Sequence, residues 1–281
     1  MPREPSDLIY RLVVNSMPMK HSLVFIAVIF LSLAAAAQDW AKQTLEKSPR
    51  HGEWVTLKHD NRSVQAFVVY PEVKGKAPAV VVIHEIFGLT DWVRSVADKL
   101  AANGYIAIAP DLLSGFGPNG GGSSAFSSIE DARKAVSNLD PDTVTADLNA
   151  AADYVKKLPS ANGKLAVAGF CWGGGQTFRF ATNRPDLGAA FVFYGPPPKD
   201  VSSVNAPVYG FYAGDDARIG ATIPDTATSM KQAGKKYEPV TYEGAKHGFM
   251  RAGEDPANTI DANKKAHDEA WQRWLTLLKG I

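Results

Sequence analysis

Cysteine is nearly absent from this sequence: Cys171 is the only one among 281 residues. A single thiol excludes an internal disulfide and any zinc site built on several cysteines. An unpaired cysteine is most often buried as a small hydrophobic residue. Cys171, however, lies in the segment VAGFCWGGG, between glycines and directly after an apolar run. Its role as a nucleophile therefore has to be weighed against a role in packing.

The chain also lacks an excess of charge of either sign. Lys and Arg total 30 and Asp and Glu total 29, which gives a formal net charge of +1. A surface that binds nucleic acid needs clustered basic residues, so we expect no nucleic-acid partner. The six histidines show no metal-ligand spacing such as HxxxH, so we expect neither a metal nor another cofactor.

Long apolar runs are missing except near the start, where Leu23–Ala37 forms an uncharged stretch preceded by basic residues. Its 15 residues are few for a membrane span, which needs about 20. The small residues at its end are typical of a secretory signal. We predict a signal peptide over residues 1–37, cleavage after Ala37, and a secreted or periplasmic protein without stable membrane insertion; an uncleaved anchor is the alternative. The residues before Met17 and Met19 add nothing to such a signal, so either methionine is a candidate start.

Residues 38–281 alternate between short apolar runs and longer stretches of helical periodicity, without a linker, which predicts a single domain. Two alternating segments, 53–59 and 64–70, predict a half-buried hairpin. Continuous apolar runs then predict strands buried on both faces of a sheet, at 78–84, 105–110, 164–170, 189–195 and 207–214. This order predicts an α/β fold with a doubly wound, mostly parallel sheet and helices on both faces.

Glycine is concentrated in one low-complexity segment, Ser114–Ser128, which follows a predicted strand. A phosphate-binding loop would carry GK[ST] and open into a helix, and this segment does neither. Because loops at the carboxyl ends of strands form the binding crevice of such folds, we expect a flap near the site.

The segment around the single thiol has the pattern G-x-C-x-G, at the point where a predicted strand meets a predicted helix. This is the nucleophile elbow G-x-S-x-G with sulfur in place of oxygen. The flanking glycines give the clearance that a sharp turn needs, and the N-terminus of the helix favours a thiolate. The pattern favours Cys171 as a nucleophile over Cys171 as a core residue.

A nucleophilic thiol needs a base, and the base needs an acid to orient it. In this fold the acid and then the histidine follow the nucleophile along the chain, each in a loop after a strand. Asp215 and Asp216 follow the apolar run 207–214, and His247 comes after the next predicted strand. We predict a triad of Cys171, His247 and Asp216, with Asp215 as the alternative acid.

Four segments together resemble the dienelactone hydrolase family: HEIFG at 84–88, GFCWGG at 169–174, GDDAR at 214–218 and KHGFMR at 246–251. The resemblance extends from about Val55 to Leu278 and implies an α/β-hydrolase fold. Asp216 is preferred to Asp215 because it matches the family's G-x-D-A-R pattern.

The resemblance also implies roles that spacing alone does not supply. Glu85 is expected to contact the nucleophile and to help convert the thiol to the thiolate when substrate arrives. The backbone amides of Ile86 and Trp172 are expected to form the oxyanion hole, the second because it follows the nucleophile. Arg251 is expected to pair with Glu85 and with a substrate carboxylate. A second substrate arginine of the family has no clear counterpart, since the Gly-rich segment lies in its region.

We therefore predict a hydrolase that cleaves a small-molecule ester or lactone of the dienelactone (carboxymethylenebutenolide) type through an acyl-enzyme. A general carboxylesterase of the same fold is the nearest alternative. A hydrolase-fold binding protein without turnover is the alternative from another class, and a thiol redox protein lacks the second cysteine it would need. We expect the protein to act as a monomer.

Overall fold

The computed structural model describes residues 39–281, and the predicted signal peptide lies outside this range. Eight strands form one sheet in the spatial order β1-β2-β4-β3-β5-β6-β7-β8. The strands are β1 Gly52–His59, β2 Arg62–Val69, β3 Ala77–Ile83, β4 Ile106–Pro110, β5 Ala161–Phe170, β6 Ala189–Phe193, β7 Val208–Ala213 and β8 Tyr237–Tyr242. The β1–β2 and β2–β4 pairs are antiparallel. Every other neighbouring pair is parallel, so β2 alone runs against the remaining strands of this sheet.

Helices connect these strands and cover both faces of the sheet. They are α1 Asp39–Glu46, α2 Asp91–Ala102, α3 Ile129–Ser137, α4 Pro141–Lys157, α5 Trp172–Asn183, α6 Ala217–Gly220, α7 Ile223–Gln232, α8 Phe249–Ala252 and α9 Asp261–Leu278. The sequence sets the start of α4 clearly. The Asp140 carboxylate accepts a hydrogen bond from the Thr143 amide at 2.8 Å, and Pro141 occupies the first helical position.

The central strands are apolar on both sides because both of their faces are covered. Alternate residues such as Val81 and Val167 join one core with Leu148 of α4. On the opposite face, the Phe193 ring packs edge-on against Trp274 of α9, with ring centroids 4.9 Å apart. The prediction of a mostly parallel sheet with helices on both faces is confirmed.

Parallel strands end at the same edge of a sheet, so the loops that follow them are brought together. The loop after β3 carries Glu85 and Ile86, and Cys171 follows β5 directly. Asp216 follows β7 and His247 follows β8. The residues singled out from the sequence therefore share one edge.

Within residues 39–281, no helix combines the length and hydropathy that a membrane crossing requires. The same range holds no group of three or more Asp, Glu, His or Cys side chains arranged to bind a metal ion.

Candidate active site

Cys171 occupies a sharp turn between β5 and α5. Its backbone has φ +57° and ψ −117°, a conformation that costs a non-glycine residue about 1–3 kcal/mol. The turn is held by its amide, which donates to the Phe193 carbonyl at 3.0 Å. Close packing also requires the flanking glycines, since a Cβ at Gly169 or Gly173 would lie 2.3 Å from a backbone oxygen. The geometry is that of a nucleophile elbow.

His247 and Asp216 meet as an oriented pair. The His247 Nδ1 lies 2.5 Å from Asp216 Oδ2, and the other carboxylate oxygen accepts from the Ile219 amide at 3.3 Å. Asp216 is thereby fixed from both sides, and the second ring nitrogen of His247 is left for the thiol. The adjacent Asp215 is 46% exposed and binds Lys246 Nζ at 2.8 Å. Of the two aspartates, Asp216 contacts the histidine.

The environment of His247 favours its protonated form. Burial lowers the pKa of His247, but hydrogen bonds to Cys171 and Asp216 outweigh this effect, so its pKa lies above the ordinary value. Its side chain keeps 33% of its surface exposed, which leaves a route for solvent or substrate. An imidazole with these two partners can take up and return a proton.

Glu85 and Arg251 form an ion pair beside this group. Arg251 Nε donates to Glu85 Oε2 at 2.9 Å, and Glu85 is only 2% exposed. Burial raises the pKa of Glu85, while the positive charges of Arg251 and His247 partly offset that rise. The Arg251 guanidinium also lies over the Phe87 ring, 5.5 Å from its centroid. The carboxylate is therefore held in an apolar setting, close to the histidine and balanced by one arginine.

Two backbone amides are available for a developing oxyanion. Ile86 and Trp172 are half-buried, and neither amide donates to another residue among those described. The two segments are in contact, since the position of a Gly173 Cβ is blocked by the His84 carbonyl. Two free amides at adjacent loop ends can bind one carbonyl oxygen.

Tyr194 and His84 are two further buried residues at this edge. Tyr194 follows β6 with φ +40°, and its ring lies edge-on to His247 with ring centroids 5.0 Å apart. His84 is fully buried, places Nδ1 2.7 Å from the Glu85 carbonyl and stacks on Trp172. Aromatic residues at strand ends more often belong to the core than to a site, so the sequence pattern favours a packing role for both.

The Gly-rich segment Ser114–Ser128 packs against the loop after β3. The Ser123 hydroxyl donates to Asp111 at 2.5 Å and accepts from the Leu89 amide at 2.8 Å. The segment also borders a groove of about 1050 Å³ that contains none of the triad residues. The groove therefore does not coincide with the oriented histidine and the strained cysteine. That the segment acts as a flap stays a prediction.

Comparison with known proteins shows the family to which this chain is similar. Residues 64–281 match the profile of the "Dienelactone hydrolase family". A Salmonella typhi protein named "Putative carboxymethylenebutenolidase" is 34% identical over 72% of this chain and 76% of its own length. A Saccharolobus solfataricus protein of the same name is 30% identical over 79% of this chain and 96% of its own length.

The fold has a similarly close counterpart among solved structures. A Klebsiella pneumoniae protein described as a "Putative Dienelactone Hydrolase" superposes with a TM-score of 0.70 at 29% identity, over 81% of this chain and 97% of its own. The α/β-hydrolase fold expected from the sequence is thus confirmed. From its elbow, its sheet order and these similarities, the chain belongs to the dienelactone hydrolase family of hydrolases.

Proposed function

We propose that this protein hydrolyses an ester or lactone through a Cys171–His247–Asp216 triad and a covalent acyl-enzyme. The observation that carries the proposal is the contact of His247 with Asp216 on one side and Cys171 on the other, with the cysteine on a strained elbow. Nucleophile, base and orienting acid are the parts that acyl transfer needs.

In the first half-reaction, the Cys171 thiolate attacks the carbonyl carbon and forms a carbon–sulfur bond. The carbonyl electron pair moves onto oxygen, where the Ile86 and Trp172 amides stabilise the negative charge. The tetrahedral adduct collapses to a thioester and expels an alkoxide, which takes a proton from His247. For a lactone, the alcohol formed in this way stays attached to the acyl group.

In the second half-reaction, His247 removes a proton from water as the water oxygen attacks the thioester. The second tetrahedral adduct collapses, breaks the carbon–sulfur bond and returns the Cys171 thiolate. The products are a carboxylic acid and an alcohol, which together contain the atoms of the ester and one water. Asp216 keeps the imidazole in the required tautomer throughout.

Glu85 is the proposed initial acceptor of the thiol proton. Burial raises the pKa of Glu85 and so favours its protonated form, and Arg251 opposes this while the two are paired. A substrate carboxylate that drew Arg251 away would remove the opposing charge. Substrate binding would then favour proton transfer from Cys171 to Glu85, and with it the thiolate.

The substrate class follows from the family together with Arg251. The relatives are named for carboxymethylenebutenolide, and a small lactone bearing a carboxylate would suit the side chain of Arg251. The proposed secreted or periplasmic location also allows a broader range of esters. Mass analysis of the protein recovered from its producing cell tests this location, because export predicts loss of residues 1–37.

Hydrolysis of p-nitrophenyl acetate and of a dienelactone by wild type and Cys171→Ala tests the proposal. We expect a burst of p-nitrophenol that equals the enzyme concentration, and loss of turnover in the variant. A preference for the lactone supports the dienelactone activity, and a preference for the simple ester supports a general carboxylesterase. Equal rates in the two proteins would rule out Cys171 as the nucleophile.

A further inference from the structure

Tyr194 buries a polar group without pairing it. Its side chain is fully buried, and its hydroxyl has no hydrogen-bond partner among residues 39–281. An unpaired buried hydroxyl destabilises a protein, and phenylalanine would fill the same space without that cost. The φ of +40° adds backbone strain at the same residue. Unpaired polar groups and strain together are typical of sites kept for function.

The position of Tyr194 links it directly to the nucleophile. The residue before it, Phe193, accepts the hydrogen bond from the Cys171 amide at 3.0 Å. The Tyr194 ring packs edge-on against His247, and interaction with Cys171 raises the pKa of that histidine. On its other side lies Phe249, with ring centroids 5.2 Å apart. The ring is therefore held between the elbow and the loop that carries the histidine.

Charged and titratable groups from several loops act electrostatically on this hydroxyl. Burial raises the pKa of Tyr194 well above its ordinary value, and nearby negative charge raises it further. The charges that act on it are those of Glu85, Cys171, Arg251 and Glu254, and the His247 ring packs against its ring. Because the phenol stays protonated at neutral pH, it can serve as a hydrogen-bond donor.

A thiolate is the acceptor that this donor best fits. Of the neighbouring anions, Glu85 is bound by Arg251, and Glu254 is bound by Lys99 and His267. The thiolate of Cys171 exists only after the thiol loses its proton, which explains a donor that is unpaired in the resting protein. A hydrogen bond to an anion stabilises it more than one to a neutral group.

We propose that the Tyr194 hydroxyl donates a hydrogen bond to the Cys171 sulfur in its thiolate form, which makes Tyr194 a catalytic residue of this site. The inference rests on the proposed function, in which the thiolate is the attacking species. No bond other than the hydrogen bond forms or breaks, and the phenol keeps its proton. Tyr194 thus complements Glu85: the carboxylate removes the proton, and the phenol stabilises the charge left on sulfur.

The test compares Tyr194→Phe with wild type by alkylation with iodoacetamide across pH. Cys171 is the only thiol of the chain, so the reaction reports on it alone. We expect the midpoint of the pH profile to rise by about one unit, because the variant loses the hydrogen bond that stabilises the Cys171 thiolate. Ester hydrolysis should fall about 10- to 100-fold in kcat/KM for the same reason, while the melting temperature should stay level or rise.

Tyr242→Phe is the matched control. Tyr242 packs on the same Phe249, with ring centroids 5.3 Å apart, and its buried hydroxyl faces the charges of Arg273 and Glu269 instead of the thiol. Its removal should leave the alkylation midpoint unchanged.

An unchanged alkylation midpoint in Tyr194→Phe would overturn the inference, whether or not hydrolysis or the melting temperature changed. A shift equal to that of Tyr242→Phe would also overturn it. Alkylation needs no substrate, so the test is independent of the proposed activity. A wild type that hydrolyses neither ester nor lactone would refute the proposed function, and the two alkylation profiles would still decide the role of Tyr194.

Discussion

Two adjacent aspartates show how environment sets chemistry at the scale of a residue. Asp216 is buried, caps α6 through the Ile219 amide and binds the histidine. Asp215 has the same side chain, but it lies at the surface with Lys246. A buried carboxylate with two fixed partners can hold an imidazole in one tautomer. An exposed ion pair contributes little to the stability of the fold.

Replacement of each aspartate by asparagine should therefore give very different activities. We expect Asp216→Asn to lower kcat by at least about 100-fold, because the imidazole loses the acceptor that fixes its tautomer. Asp215→Asn, the matched control, should change kcat by less than about twofold. Steady-state ester hydrolysis measures both, and comparable losses in the two variants would contradict the assignment of Asp216.

Much of the residue-level site could be predicted from the sequence, because chain order and strand ends determine which loops meet. Cys171, His247 and Asp216 are brought together in this way. The resting pair of Glu85 and Arg251 could not be derived from spacing, since it joins residues 166 positions apart. The position of Tyr194 at a strand end makes it a candidate pocket residue, but only the structure shows that its hydroxyl is buried and unpaired.

At the scale of elements, the elbow depends on close contact between β3, β5 and α5. Gly173 lies in the first turn of α5, where the backbone oxygens of Ile83 and His84 would be within 2.6 Å of a Cβ. Any side chain there must push the loop after β3 away from the helix. That loop carries both Glu85 and the Ile86 amide, so the elbow and the proposed oxyanion hole depend on the same close packing.

Alanine at Gly173 should therefore disturb both stability and activity. We expect Gly173→Ala to lower the free energy of unfolding by about 1–3 kcal/mol or more, as overpacking does. Gly220, at the end of α6, has open space around its Cβ position. Gly220→Ala should accordingly be neutral or stabilising by up to about 1 kcal/mol. Urea unfolding measures both, and a neutral Gly173→Ala would contradict the contact.

The strands could be predicted better than the helix faces. Continuous apolar runs identify strands covered on both sides, as in β3 and β5. For α9, helical spacing of the apolar and aromatic residues by itself predicts a face of His267, Trp271, Trp274, Leu275 and Leu278. In the structure, only Trp274 and Leu278 of these are buried, and the face is completed by Asn263, Ala266 and Ala270. Large side chains that are only partly apolar flank the buried stripe. A pattern based on hydrophobicity therefore counts them as part of the buried face.

At the scale of the whole molecule, a buried ion cluster joins helices that are distant along the chain. Glu254 binds Lys99 of α2 at 2.5 Å and His267 of α9 at 2.9 Å. Its own segment directly follows α8, the helix of Arg251. Burial raises the pKa of Glu254, but the bonds to His267 and Lys99 outweigh this effect and hold its pKa below the ordinary value.

This cluster should make stability depend on pH in a defined direction. Because folding favours the carboxylate, its contribution is complete above the ordinary glutamate pKa of about 4.3 and is lost as pH falls through the lower pKa of the folded state. Glu254→Gln should reduce the free energy of unfolding by about 3 kcal/mol at pH 7, and by less at acidic pH.

Glu269→Gln on the same helix is the control, since its exposed pair with Lys265 should contribute less than about 1 kcal/mol. Thermal unfolding of the three proteins between pH 3 and pH 7 measures the difference. A Glu254→Gln penalty that grows as pH falls would contradict a lowered pKa of Glu254 in the folded protein.

The central claim is that Cys171 carries the acyl group during turnover. Quenching the wild-type enzyme with acid during ester hydrolysis, followed by peptide mass analysis, tests it most directly. We predict an acyl group on the peptide that contains Cys171, and its disappearance once the ester is consumed. Steady hydrolysis in which Cys171 is never acylated would contradict the account.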